Sequence, residues 1–175
     1  DDKRPVSWGL NSKLVKIDGK LVEKTYKAGG MYGEAITKIA YWLEKAANVA
    51  ENEQQKKTLE LLVKYYRSGD LADFDAYNIA WVNDTASDVD VVNGFIEVYD
   101  DPLAYRGSFE SVVSVKDHQA TKVIAAIAEQ AQWFEDNSPL IESHKKKEVK
   151  GINVKANKVI IKTGDASHAN PSGIN

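Results

Sequence analysis

The chain contains no cysteine, which excludes disulfides, thiolate-held zinc and thiol catalysis. That absence fits a reducing compartment, and the chain is read as cytoplasmic. Nowhere do about 18 apolar residues follow one another, so no membrane-spanning helix is expected. The opening stretch Asp1-Asp2-Lys3-Arg4-Pro5 lacks the apolar centre of a signal peptide and reads as the start of an excerpt from a longer protein. Basic charge is not in surplus: 23 Lys and Arg stand against 26 Asp and Glu, a net charge of -3. A nucleic-acid partner is therefore not expected, and neither is a membrane one. Histidine is scarce as well. His118, His144 and His168 are far apart, with no HExxH-type pair. Zinc needs three or four ligands brought together, usually including a short-spaced pair, so no metal site is expected in these residues. A GxSxG elbow and a GxxxxGK phosphate loop are missing too.

What remains is ordinary globular material, 43% hydrophobic and 28% charged over 175 residues. That suits one domain or two tightly packed lobes around a sizeable core. Residues 12–26 read as a hairpin: alternating runs Lys13–Ile17 and Lys20–Tyr26 flank Asp18-Gly19, which tolerates a tight primed turn. Gly29-Gly30 breaks the chain before a helix over about 31–50, with Ile36, Ile39, Leu43, Ala46, Ala47 and Ala50 on one face. A second helix covers about 53–67, carrying Leu59, Leu62, Val63 and Tyr66, with Gly69 just past its end. Asp70 or Asp73 caps a third, running through Ile79, Trp81 and Val82 to about Asn83.

The second half is richer in β-patterned sequence. Gly94–Tyr99 and Ser108–Val115 read as short strands joined by a turn through Asp100-Asp101-Pro102 and Arg106-Gly107. Asp117 caps a fourth helix over about 118–136, with Val123, Ile124, Ile127, Ala131 and Phe134 as its apolar positions and Asn137-Ser138-Pro139 as its stop. Val149–Val154 and Lys158–Lys162 are strand-like, and the tail from Gly164 is rich in Gly, Pro, Ser and Asn. The fold class is α+β. A helical block with an N-terminal hairpin (about 1–90) packs with a strand-rich, partly barrel-like half carrying one long helix (about 91–175).

One run stands out: Asn93-Gly94-Phe95-Ile96-Glu97-Val98-Tyr99-Asp100-Asp101-Pro102. With period two, Phe95, Glu97 and Tyr99 share one face of a strand, while Ile96 and Val98 face a core. A carboxylate between two aromatics reads either as an ordinary amphipathic strand or as a ligand-binding face. The carboxylates Glu97, Asp100, Asp101 and Glu110 also raise a glycosidase pair, a reading that depends on separations a sequence does not supply.

At this run the chain resembles the dipeptidyl peptidase III family of zinc peptidases, whose members carry a segment of the form NGFIEvYxDPlg and then an aromatic-Glu pair, here Phe109-Glu110. Gly9-Leu10-Asn11-Ser12, Gly29-Gly30-Met31-Tyr32, Gln132–Pro139 and Pro171–Asn175 resemble its bacterial branch in the same order. Ala104 stands where many of those relatives carry glycine. The family's HExxGH and EExRxD motifs, which supply its zinc ligands and general base, are absent; in the family they follow the segment with which this chain ends.

The resemblance implies the substrate-binding part of a zinc dipeptidyl peptidase that removes dipeptides from the N-termini of oligopeptides. The partners it implies are an oligopeptide substrate and a zinc-binding lobe lying outside this sequence; zinc is the cofactor of the intact enzyme, and no catalytic residue is expected here. It implies that Glu97 receives the substrate's α-ammonium, which is largely charged at neutral pH because its pKa is near 8. Tyr99 then offers its hydroxyl to the peptide. Gly173 and Ile174 present a sheet edge to it, and Asn175 clamps it. Two rivals remain at this stage: a catalytically silent peptide-binding module and a helical scaffold in which the strand motif is merely core.

Overall fold

The computed structural model describes residues 8–150 and 154–168. The chain opens with the hairpin that its sequence predicts. Strand β1 (Ser12–Ile17) pairs antiparallel with β2 (Lys20–Thr25). Asp18 and Gly19, with φ of 47° and 81°, form the two-residue turn between them. Both angles are positive, as a type I′ turn requires. Most of the hairpin stands away from the core, with Leu14 and Leu21 exposed, and only Thr25 and Tyr26 at its end are buried.

Three helices follow. Helix α1 (Gly33–Ala47) buries Ile36, Ala40, Leu43 and Ala47, a stripe at steps of four and three. It is shorter at both ends than expected, starting only after Tyr32, whose φ of 59° is left-handed. Helix α2 (Glu53–Ser68) is capped by the Asn52 side chain, which accepts from the Gln55 N–H at 3.0 Å, and stops at Gly69. Its buried face, from Leu59 to Tyr66, is the centre of the main core. Asp70 caps α3 (Leu71–Val82) through the Ala72 N–H at 2.9 Å. The inward residues of α3 are Tyr77 and Ala80, while Ile79 and Val82 point to solvent.

Strands β3 (Val89–Glu97), β4 (Ser108–Lys116) and β5 (Asn157–Gly164) make an antiparallel sheet in the order β3-β4-β5. The α+β class therefore holds, but among the described residues the strands form two small open sheets and no closed barrel. The helix expected over 118–136 is two helices, α4 (His118–Ala128) and α5 (Ala131–Asp136), separated at Glu129 and Gln130. Asp117 caps α4 as predicted. No residue of α4 or α5 is buried; with no opposing apolar surface against them, nothing requires the two pieces to continue as one helix. Val149, Lys150 and Val154 are not in a strand, and the middle of that expected strand lies outside the described residues. Among the described residues no helix is long and apolar enough to cross a membrane.

The sheet is joined to the helical block by polar as well as apolar contacts. Phe95 lies in the main core with Tyr26 and the α2 tyrosines. Beside it the Tyr66 hydroxyl donates to Asn93 Oδ1, and Asn93 Nδ2 donates to Ser111 Oγ at 3.1 Å. Tyr66 and Asn93 are both buried, and burial pushes the Tyr66 phenol well above its ordinary pKa. A buried donor or acceptor stripped of its partner costs about 1–3 kcal/mol. We expect Tyr66→Phe and Asn93→Ala each to lower unfolding free energy by about that much. The double variant should lose clearly less than their sum, because the two changes remove one shared interaction. Urea denaturation of the four proteins checks it, and strict additivity would show the bond to be incidental.

Candidate functional site

The run from Asn93 to Pro102 is strand only as far as Glu97; Val98 is irregular and Tyr99 begins a turn. The register explains what its side chains do. Gly94 pairs with Glu110 and Phe95 with Phe109, but the next pair is Glu97 with Ser108. One extra residue, Ile96, is accommodated by a β-bulge, where two residues face one on the partner strand.

That bulge corrects the expected faces. Directly opposed residues lie on the same side of a sheet, so Glu97 shares the side of Ser108, and Ser108 that of Glu110 two residues on. Phe95 pairs with Phe109 on the other side, in the main core. Phe95 and Glu97 are therefore not neighbours on one surface. Phe95 is 9% exposed, and Ile96 packs against a second, smaller cluster of Val92, Val112 and Ala166. Glu97 is half-buried, as are Ile96 and Val98, so the expected contrast in burial between them is absent. Tyr99 is 82% exposed, its side chain free to meet a ligand.

The segment between β3 and β4 is held by Asp101. Its Oδ1 accepts from the Leu103 N–H at 3.2 Å, and its Oδ2 from the Tyr105 and Arg106 N–H groups at 3.0 Å each. The Arg106 Nε lies 3.6 Å from Oδ2. The Leu103 N–H above all, then the other two amides and the Arg106 charge, hold this carboxyl below its ordinary pKa. Asp101 is thus the loop's organiser, with its acceptor capacity spent on the backbone, and the glycosidase reading loses it. Ala104 sits at φ 52°, a left-handed conformation that glycine adopts without strain.

On the Phe95 side a cavity of about 610 Å³ lies between this loop and α1. Tyr26, Tyr32, Phe95 and Phe109 wall it, and Asp100 and Arg106 add charge to its lining. Its rings are mutually packed, with Tyr26–Phe95 and Tyr26–Tyr32 centroids 5.0 Å apart. Neither Glu97 nor Tyr99 lines it. Of the other expected site residues, Gly173, Ile174 and Asn175 lie outside the described residues.

Sequence reasoning missed the position of Glu110. It is 5% exposed, in the centre strand, on the side to which the bulge turns Glu97. Burial first, then the fields of Glu97 and Asp165, push its carboxyl above the ordinary pKa. The available signal was the stripe Glu110-Val112-Ser114, a carboxylate in register with core positions.

The residues present do not fit a zinc site. Among the described residues no three His, Cys, Asp or Glu side chains come together to hold a metal. His118, the first residue of α4, has its Nε2 2.9 Å from Asp88 Oδ2.

The architecture is that of solved dipeptidyl peptidases. The structure of DPP III from Caldithrix abyssi superposes with a TM-score of 0.77 at 25% identity, covering 91% of this chain and 30% of that one. Dipeptidyl-peptidase III from Corallococcus sp. strain EGB matches in fold with a TM-score of 0.69, covering 92% of this chain and 29% of that one. In sequence the chain is 34% identical over 104 residues to dipeptidyl peptidase 3 of Rattus norvegicus, covering 58% of this chain and 14% of that protein. It is 26% identical over 136 residues to Nudix hydrolase 3 of Arabidopsis thaliana, covering 77% of this chain and 17% of that protein. These likenesses define the chain as an α+β segment of a peptidase, spanning less than a third of the length of each of these relatives. The model of peptidase family M49 matches residues 11–175, and the chain belongs to that family.

A group whose folded pKa is depressed contributes stability above its unfolded pKa, and that contribution is lost as pH falls through the folded value. The Asp101 loop should therefore stay closed through the ordinary carboxylate range, near pH 3.9 for Asp, and open only below it. The amide resonances of Leu103, Tyr105 and Arg106 should move together with one midpoint on the acid side of that value. Independent midpoints, or one common midpoint above it, would contradict the Asp101 anchor.

Proposed function

We propose that this chain is the substrate-binding part of a zinc-dependent dipeptidyl peptidase that removes dipeptides from the N-termini of oligopeptides in the cytoplasm. The carrying observation is the bulge in β3, which takes Glu97 off the core side of the sheet and leaves Tyr99 exposed just beyond the strand. An enzyme that measures two residues from a free amine needs a fixed negative charge for that amine, and a carboxylate on a sheet is more rigidly placed than one on a loop. Glu97 takes this role. Tyr99 donates its hydroxyl to the bound peptide, and Gly173, Ile174 and Asn175 supply the edge and clamp along which the extended substrate lies. Membership of the peptidase family supports this reading.

Zinc enters the proposal as the cofactor of the whole peptidase, held by residues outside this chain; it would supply a Lewis acid and an activated water. The described residues contribute binding and orientation. With the ammonium held at Glu97, the register of the peptide along the sheet is set, and the bond two residues on is presented at a fixed distance.

In the full-length peptidase, Glu97→Gln keeps size and hydrogen bonding but removes the charge. A charge-assisted hydrogen bond is worth about 1.5–3 kcal/mol, so kcat/KM for free-amine peptides should fall by about one to two decades. N-acetylated peptides, already poor substrates, should be affected little, and zinc content should not change. The 175-residue chain by itself should neither retain zinc after dialysis nor release dipeptides from a chromogenic substrate. Unchanged kinetics of the Glu97→Gln enzyme on free-amine peptides would move the anchor to another group. Chelator-sensitive turnover by the chain alone would overturn the division of labour.

A further inference from the structure

Glu110 is a buried carboxyl with no partner. It is 5% exposed, and no group among the described residues hydrogen-bonds or ion-pairs with it. Burying a carboxylate unpaired is strongly unfavourable, and such groups are retained chiefly where a ligand or a reaction uses them. Its surroundings in the sheet are equally unusual. Glu110 occupies the centre strand, and its opposed residues are glycines on both sides: Gly94 on β3 and Gly164 on β5. No cross-strand side chain therefore covers it. Gly164 is fixed as glycine by close approach: a Cβ there would lie 2.0 Å from the Phe109 carbonyl oxygen.

What surrounds the carboxyl comes from the bulge and from the turn after β5. Ile96, displaced by the bulge, packs with Val92, Val112 and Ala166, the last in the short 3-10 turn Asp165–Ser167 that folds back on β4. Glu97 is the diagonal cross-strand neighbour of Glu110, paired with Ser108 two residues away. Diagonal neighbours stand about 7–8 Å apart between strands, within the joint reach of two glutamate side chains and one small group between them. The charged groups facing Glu110 are Glu97 from β3 and Asp165 from the turn, both acidic. The cation nearest by register is Lys162 of β5, opposite Val112 and one side-chain repeat further on. Asp90 of β3, opposite Ser114, is held by the Trp81 indole N–H at 2.8 Å.

We propose that Glu110 is a second receptor for the substrate's α-ammonium, completing with Glu97 a two-carboxylate site under the β3 bulge. The inference rests on the reading of Glu97 as the amine anchor. An ammonium carries three N–H donors, more than a single half-buried carboxylate engages well, and a second oxygen from Glu110 takes another of them. In the free protein Glu110 holds its proton more tightly than an ordinary glutamate, because burial and two acidic neighbours disfavour its charge. The incoming cation reverses that balance. Neutral Glu110 and a charged ammonium become an ion pair, and one proton leaves for solvent. Amine binding is thereby coupled to proton release, and affinity falls as pH drops through the raised pKa of Glu110. A neutral, acetylated N-terminus gains nothing from the site.

The test uses the 175-residue chain with trialanine and N-acetyl-trialanine as probes, following side-chain carboxyl carbon resonances by NMR. Without peptide, Glu110 should titrate above an ordinary glutamate; saturating trialanine should bring its midpoint down, and N-acetyl-trialanine should leave it in place. Glu110→Gln should weaken trialanine binding about tenfold, the loss of one charge-assisted bond. It should also melt higher than the parent chain at neutral pH, with that advantage lost in acid. The sign follows from the raised folded pKa, which makes the ionised native carboxyl a burden only above that value. A Glu110 midpoint indifferent to trialanine, or lowered equally by both peptides, overturns the second receptor even where Glu97→Gln abolishes trialanine binding. If Glu97→Gln leaves trialanine binding intact, or if the parent chain does not bind trialanine, the anchor reading itself falls. A Glu110→Gln chain that melts lower at neutral pH would make Glu110 structural and would also overturn the proposal.

Discussion

The arrangement depends on how β3 is registered against the helical block. The Tyr66 hydroxyl and the Asn93 side chain meet inside the protein, and Asn93 reaches on to Ser111 in the neighbouring strand. Side chains on a strand alternate, so fixing Asn93 toward α2 also decides which side Val92, Gly94 and Phe95 take. A slip of one residue would turn Phe95 out of the tyrosine-rich core and drive Gly94 into it. Such a buried polar bond adds modestly to stability, but it discriminates against wrong registers, in which the phenol and the amide would both be left unpaired.

Upon that register the bulge makes a second decision. A regular strand would have put Glu97 on the same side as Phe95, inside the core, where a carboxylate is poorly tolerated. One extra residue lets Ile96 and Glu97 both escape: Ile96 to a small apolar cluster, Glu97 to the acidic side with Glu110. The same side carries Gly94 and Gly164 opposite Glu110, so the space over that carboxyl is left free by the sheet. The Asp101 loop, closing on three backbone amides, then fixes how the chain leaves β3 and returns through Gly107 to β4. In this way the scaffold concentrates negative charge on one side of a sheet whose other side is apolar and aromatic, a division suited to a cationic peptide terminus.

Local signals were legible in the sequence wherever the physics is local. Asp18-Gly19 set the hairpin turn because positive φ is a property of those two residues. Asp70 and Asp117 capped their helices as read, since a cap needs only its own carboxylate and an amide two or three residues on. Helix α2 emerged from its apolar spacing and its closing glycine. Reading failed where the outcome rests on a partner. The split between α4 and α5, whose apolar residues have no opposing surface among the described residues, is invisible to periodicity. So is the bulge, which exists only in the count of residues between β3 and β4.

The sequence by itself determined the class of fold, the order and approximate bounds of most elements, and the family, because caps, turns and motifs are properties of neighbouring residues. It named Glu97 and Tyr99 from a motif, yet it put Phe95 beside them by simple alternation. Only the tertiary structure decided that Phe95 belongs to the core, that Asp101 serves its own loop, and that Glu110 is buried without a partner next to Glu97. The physical reason is that burial and facing come from strand pairing, where one inserted residue reverses the side of the sheet, and no reading of a single strand contains its partner's register.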